Sequence, residues 1–205
     1  MATTVEAPAA ARTEASATTT RGFYRAGAIA GFVGGGLAII TNALHPRNFG
    51  DTTQDLLRMI TDFGPWRIVH LGILMSAFFG IFALVAIFRS IADGPSPWAW
   101  PALGIALASA AVAMVSFSID GFALAGLAAD WSAATGATRA GILTAAQGLQ
   151  NFDGALFMLN IMTLFGLTPL VGGVALWQDG RVYPRWLSGL GIVGGLFGMA
   201  SGISQ

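Results

Sequence analysis

Five long runs of this chain carry almost no charge: 26–44, 67–88, 101–129, 154–176 and 187–203. The hydrocarbon core of a bilayer is about 30 Å thick, and about 20 apolar residues in a helix cross it. Each run is long enough for that, and the tryptophans mark the ends. Trp66 opens the second run, Trp98 and Trp100 precede the third, Trp131 follows it, Trp177 closes the fourth and Trp186 opens the fifth. Indole rings, and the phenols of Tyr24 and Tyr183, suit the headgroup level, where an apolar body and a polar tip are both satisfied. With 10% charged residues a soluble fold could not cover its surface, so lipid replaces water as the outer solvent. The expected fold is all-α: a membrane bundle of five transmembrane helices in one domain, 23–205, in contact with the lipid bilayer.

The remaining segments are short. Residues 1–22 are rich in Ala and Thr without apolar period, which predicts a disordered tail. Glu6 and Glu14 argue against a transit peptide, and the late, long first run argues against a cleaved signal. Between the first two runs, 51–64 has helical period: Leu56, Leu57, Ile60 and Phe63 on one side, Asp55, Arg58 and Asp62 on the other. This predicts a short amphipathic helix capped by Asp51, ended by Gly64-Pro65 and lying flat at the interface. Residues 138–153 form a weakly polar helical approach to the fourth run. Together with the end of the third run and 51–64 it would make a shallow roof on one side of the membrane. Pro169 should kink the fourth helix.

Ten basic and ten acidic residues cancel, which removes the polybasic footprint of a nucleic-acid binder. Every basic residue is arginine; with abundant Ala and Gly this suggests a GC-rich, bacterial coding sequence. The absence of cysteine excludes disulfides, thiolate metal sites, c-type haem attachment and cysteine nucleophiles. Arg12, Arg21, Arg25, Arg89, Arg181 and Arg185 fall on the amino-terminal side, against Arg47, Arg58, Arg67 and Arg139 on the other. The bias favours a multi-pass protein of the cell membrane with a cytoplasmic N-terminus. Gly27, Gly31 and Gly35, like Gly194, Gly198 and Gly202, recur every four residues. Such stripes let helices approach closely, so the first and fifth spans are expected to pack on each other or across a homo-oligomer. Gly189-Leu-Gly191-Ile-Val-Gly194 matches a dinucleotide fingerprint in form only, because it lies inside an apolar span instead of after a strand.

Alternating span direction gathers the chemistry. The end of span one, the start of span two, the end of span three and the start of span four share one face, and they carry His45, His70, Asp120 and Asp153. Asn151 lies beside Asp153, and Asn160 lies two turns deeper on the same stripe. Ionisable groups in spans are costly and by default point to a partner or cavity. Asp120 either coordinates an ion or pairs with Arg67 or Arg139. Two imidazoles with carboxylates could bind a divalent metal through His45, His70 and Asp120, or the histidines could ligate haem. No HExxH, GxSxG or P-loop spacing is present.

His45-Pro46 after a glycine-rich span, Trp66-x3-His70, Asp120-Gly121-Phe122 and Pro184-Arg185-Trp186 resemble a family of bacterial multi-span membrane proteins of the domain-of-unknown-function type. The resemblance covers about 22–203. It implies an integral membrane protein and carries no activity.

Three functions follow as expectations. The first is a non-enzymatic structural or accessory membrane protein. The second is a binding or redox site at the non-cytoplasmic rim for a metal, haem or small lipophilic ligand, drawn from His45, His70, Asp120, Asn151, Asp153 and Asn160. A transporter subunit ranks third, since no inverted repeat is visible.

Overall fold

The computed structural model describes residues 9–47 and 50–203. In chain order the helices are α1 (Ala9–Leu44), α2 (Thr53–Asp62), α3 (Trp66–Ile91), α4 (Ala99–Ser118), α5 (Leu124–Ala133), α6 (Gly136–Asn160), α7 (Thr168–Asp179) and α8 (Arg185–Ile203). Two π-helical turns join them without a break: Ile119–Ala123 between α4 and α5, and Ile161–Leu167 between α6 and α7. No strand occurs among the described residues. Five continuous helices are long and apolar enough to cross a membrane: Thr20–Leu44, Trp66–Ile91, Ala99–Ala133, Gly136–Asp179 and Arg185–Ile203.

Part of the segment 1–22, expected to be a disordered tail, is helical. The backbone is already helical from Ala9, and residues 1–8 lie outside the described ones. From Ala9 to Arg21 the chain has no Pro or Gly. Alanine-rich sequence extends a helix whose nucleus is already supplied by the span behind it.

The third and fourth spans run to 35 and 44 residues, about 52 and 66 Å at helical rise, so both project well past a hydrocarbon core of about 30 Å. The projecting ends form the roof. Leu56, Leu57 and Ile60 of α2 pack with Leu124, Ala125, Ala128 and Trp131 of α5 and with Ala146 of α6. Thr53 Oγ1 donates to Gln150 Oε1 at 2.8 Å and ties α2 to α6. The amphipathic helix therefore exists, but its apolar face is covered by protein rather than laid on lipid. The helix is capped by Thr52, not Asp51: the Thr52 hydroxyl accepts from the Asp55 N–H at 3.1 Å.

The same roof revises the aromatic reading. Trp98, Trp100, Trp177 and Trp186 are exposed, as interfacial rings should be, whereas Trp66 and Trp131 are 2% and 3% exposed and belong to the roof core.

The glycine stripes are used inside the chain, by different partners. α1 packs along α3, and α8 along α7 and the second π-turn. A Cβ on Gly27 would overlap Ala86, and one on Gly198 would overlap the Phe165 carbonyl. That carbonyl is the one Pro169, lacking an N–H, cannot bond four residues on. The π-turn accommodates the defect expected at Pro169, and Gly195 and Gly198 bring α8 against the loosened backbone.

Candidate functional site

Under the roof, three spans bring three side chains together. α1 docks by Thr41, whose methyl fills the place where a Cβ on Gly72 would stand. One turn later the chain leaves α1 at His45, which is thereby held over the first turn of α3. His70, one turn into α3, is fully buried. The third span supplies Asp120 from its π-turn, where the wider winding disturbs the regular hydrogen-bond ladder. Trp66 Nε1–H donates to the Asp120 backbone oxygen at 3.1 Å and fixes that turn. Gly121 completes the approach: a Cβ there would overlap the His70 side chain, so only glycine lets the turn come this close.

The hydrogen bonds settle which ring nitrogens hold protons. His70 Nδ1 lies 2.9 Å from the Trp66 carbonyl oxygen, and His45 Nδ1 lies 2.9 Å from that of Pro46. A carbonyl only accepts, so both Nδ1 atoms donate. In the neutral rings both Nε2 atoms then carry lone pairs. These atoms face one another at 3.3 Å, and His70 Nε2 stands 3.0 Å from Asp120 Oδ2.

Three electron-rich atoms thus converge, and neutral rings with a carboxylate would repel one another at these distances. A proton shared among these atoms, or a metal ion bound between them, would relieve that repulsion. The three ligand atoms lie within 4.8 Å of one another. A tetrahedral ion with bonds of about 2.0–2.1 Å spaces its ligands about 3.3 Å apart, close to the two short separations here. Backbone carbonyls on both Nδ1–H groups are the usual orienting partners of metal-binding histidines. Haem fits poorly. Its axial ligands lie on opposite faces of the macrocycle, whereas these rings are in T-shaped contact with centroids 4.9 Å apart.

Asp153 adjoins the cluster without entering it. Its Oδ1 accepts from Ser116 Oγ at 2.8 Å, and it lies within electrostatic range of Asp120 and His70. Asn151 is exposed on α6. Asn160 is fully buried and deeper in the bundle. Asp120 pairs with His70 rather than with Arg67 or Arg139; the Arg139 guanidinium sits 3.9 Å over the Trp131 ring. The sequence pattern put Trp66 among the headgroups, used Gly121 only as part of the Asp-Gly-Phe motif and gave no sign of Ser116. The Asp-Gly pair near the end of a span was the available sign of a close approach.

No protein-family model, curated protein or solved structure matches the chain.

Proposed function

We propose that this chain is an accessory-type integral membrane protein whose working part is a divalent transition-metal site made by His45, His70 and Asp120. The observation that carries this reading is the convergence of two Nε2 lone pairs and one carboxylate oxygen, each imidazole oriented by a carbonyl on its far nitrogen. Two imidazoles and a carboxylate suit zinc or ferrous iron better than calcium or magnesium. Three protein ligands leave a position for water or a small ligand, as in working rather than closed structural sites.

The arginine bias supports a cytoplasmic N-terminus in a cell membrane, which sets the site at the non-cytoplasmic rim. The short motifs support membership of the bacterial multi-span family they resemble. A homo-oligomer built through the glycine stripes would use Gly35 and Gly194, the stripe members with nothing packed over them.

The test is purification in mild detergent, loading with zinc or ferrous iron, and elemental analysis after gel filtration. About one ion per chain is expected, with no Soret band. His70→Ala and Asp120→Asn should each weaken binding at least tenfold, as the loss of one of three ligands requires. Acidification should release the ion, because protons compete for the same Nε2 lone pairs. Absence of stoichiometric metal after loading, or full binding by both variants, would overturn the reading.

A further inference from the structure

A polar seam leads inward from the cluster along the packing of α4 against α6, the second π-turn and α7. At its outer end is the Ser116–Asp153 hydrogen bond. Deeper, Thr168 Oγ1 donates to Ser109 Oγ at 3.4 Å, and both residues are buried. Between these pairs in the order of the helices stand Ala113 on α4 and Asn160 at the end of α6, each fully buried.

Asn160 is the unexplained member. Its amide offers an acceptor oxygen and a donor nitrogen, and among the described residues neither atom has a hydrogen-bond partner. An unpaired amide inside a membrane bundle bears its full desolvation penalty. Buried polar groups that lack a protein partner are ordinarily satisfied by internal water. The chain also departs from regular helix directly after Asn160, in the π-turn Ile161–Leu167, the kind of irregularity that collects at functional sites.

We infer that Asn160 anchors an internal water site, and that water held there joins the rim cluster to the Ser109–Thr168 pair as one hydrated seam. Asn160 follows Asp153 by seven residues, about 10 Å along the helix. A file of about two waters, at about 2.8 Å per hydrogen bond, covers that gap with the reach of the two side chains. The seam stands on the amide and its polar neighbours and requires no metal.

The chain has no cysteine, so a single introduced thiol reports without background. Asn160→Cys is compared with Leu159→Cys, a change at the adjacent residue, whose side chain is exposed on the bundle surface. Both proteins are reconstituted in phosphatidylcholine vesicles and treated with silver ion, a cation near water in size that attacks thiols through water. Thiol remaining for maleimide after denaturation is read against time. The thiol of Asn160→Cys should be consumed at least tenfold faster than that of Leu159→Cys; equal or slower consumption overturns the inference. Asn160→Leu gives a second reading in case the cysteine disturbs packing. A hydrated amide predicts a lower melting temperature for this variant, because the water loses its anchor while Asp153 and Thr168 keep their polar groups. A higher melting temperature would mark a dry amide and overturn the seam. Metal content measured on the same preparations separates the two readings, since an empty cluster beside a reactive thiol in Asn160→Cys sinks the metal site alone.

Discussion

A single missing Cβ decides whether the rim cluster can form. Gly121 sits where any side chain would strike His70, yet it contributes no ligand atom. Gly121→Ala should therefore weaken metal binding at least tenfold while leaving His45, His70 and Asp120 in place. Isothermal titration of the folded variant measures this, and unchanged affinity would show that the π-turn can retreat without cost to the site. The neighbouring tryptophan shows why residue type alone misleads. Trp66 opens a span, as an interfacial ring would, but its indole N–H is needed by the Asp120 carbonyl and its ring is enclosed by the roof. Four other tryptophans are exposed, as headgroup anchors would be.

Among elements, the π-turns separate what periodicity reveals from what it hides. The five spans were legible because about 20 apolar residues in succession admit few other structures in lipid. That His45, His70 and Asp120 should meet was legible because span direction must alternate. What could not be read is where a helix widens. An inserted residue leaves hydropathy unchanged, yet the first π-turn carries Asp120 and the second follows Asn160. The partner of α2 was equally hidden, since Leu56, Leu57 and Ile60 give the same stripe whether lipid or α5 covers them.

The second π-turn also makes α8 testable. Gly198 lies against the Phe165 carbonyl, which Pro169 cannot bond, while a Cβ on Gly194 would meet open space. Overpacking costs about 1–3 kcal/mol, which is roughly 2–12 °C for a chain of this size. Gly198→Leu should lower the melting temperature in detergent by that order and Gly194→Leu should leave it nearly unchanged. Equal shifts would show that α8 does not rest on the turn.

At the scale of the whole molecule, five helices long and apolar enough to cross a membrane would put the two ends of each span on opposite sides, with the roof on one of them. Asp93, in the turn after α3, is strongly exposed on the side away from the roof, and Ser132, near the end of α5, is exposed on the roof side. With a cytoplasmic N-terminus, Ser132→Cys should react with an impermeant maleimide added to intact cells. Asp93→Cys should react only after permeabilisation. The reverse pattern would invert the orientation, and labelling of both from outside would break the five-span topology.

The order of the ligands along the chain has a consequence for how the protein is made. His45, His70 and Asp120 come from the first three spans, while Asp153 and Asn160 belong to the fourth. A ribosome delivers the amino-terminal part first, so the candidate ligand atoms reach the membrane before the residues of the seam. An ion captured at that stage would clamp the nascent first half of the bundle, and the later helices would assemble around a centre already charged.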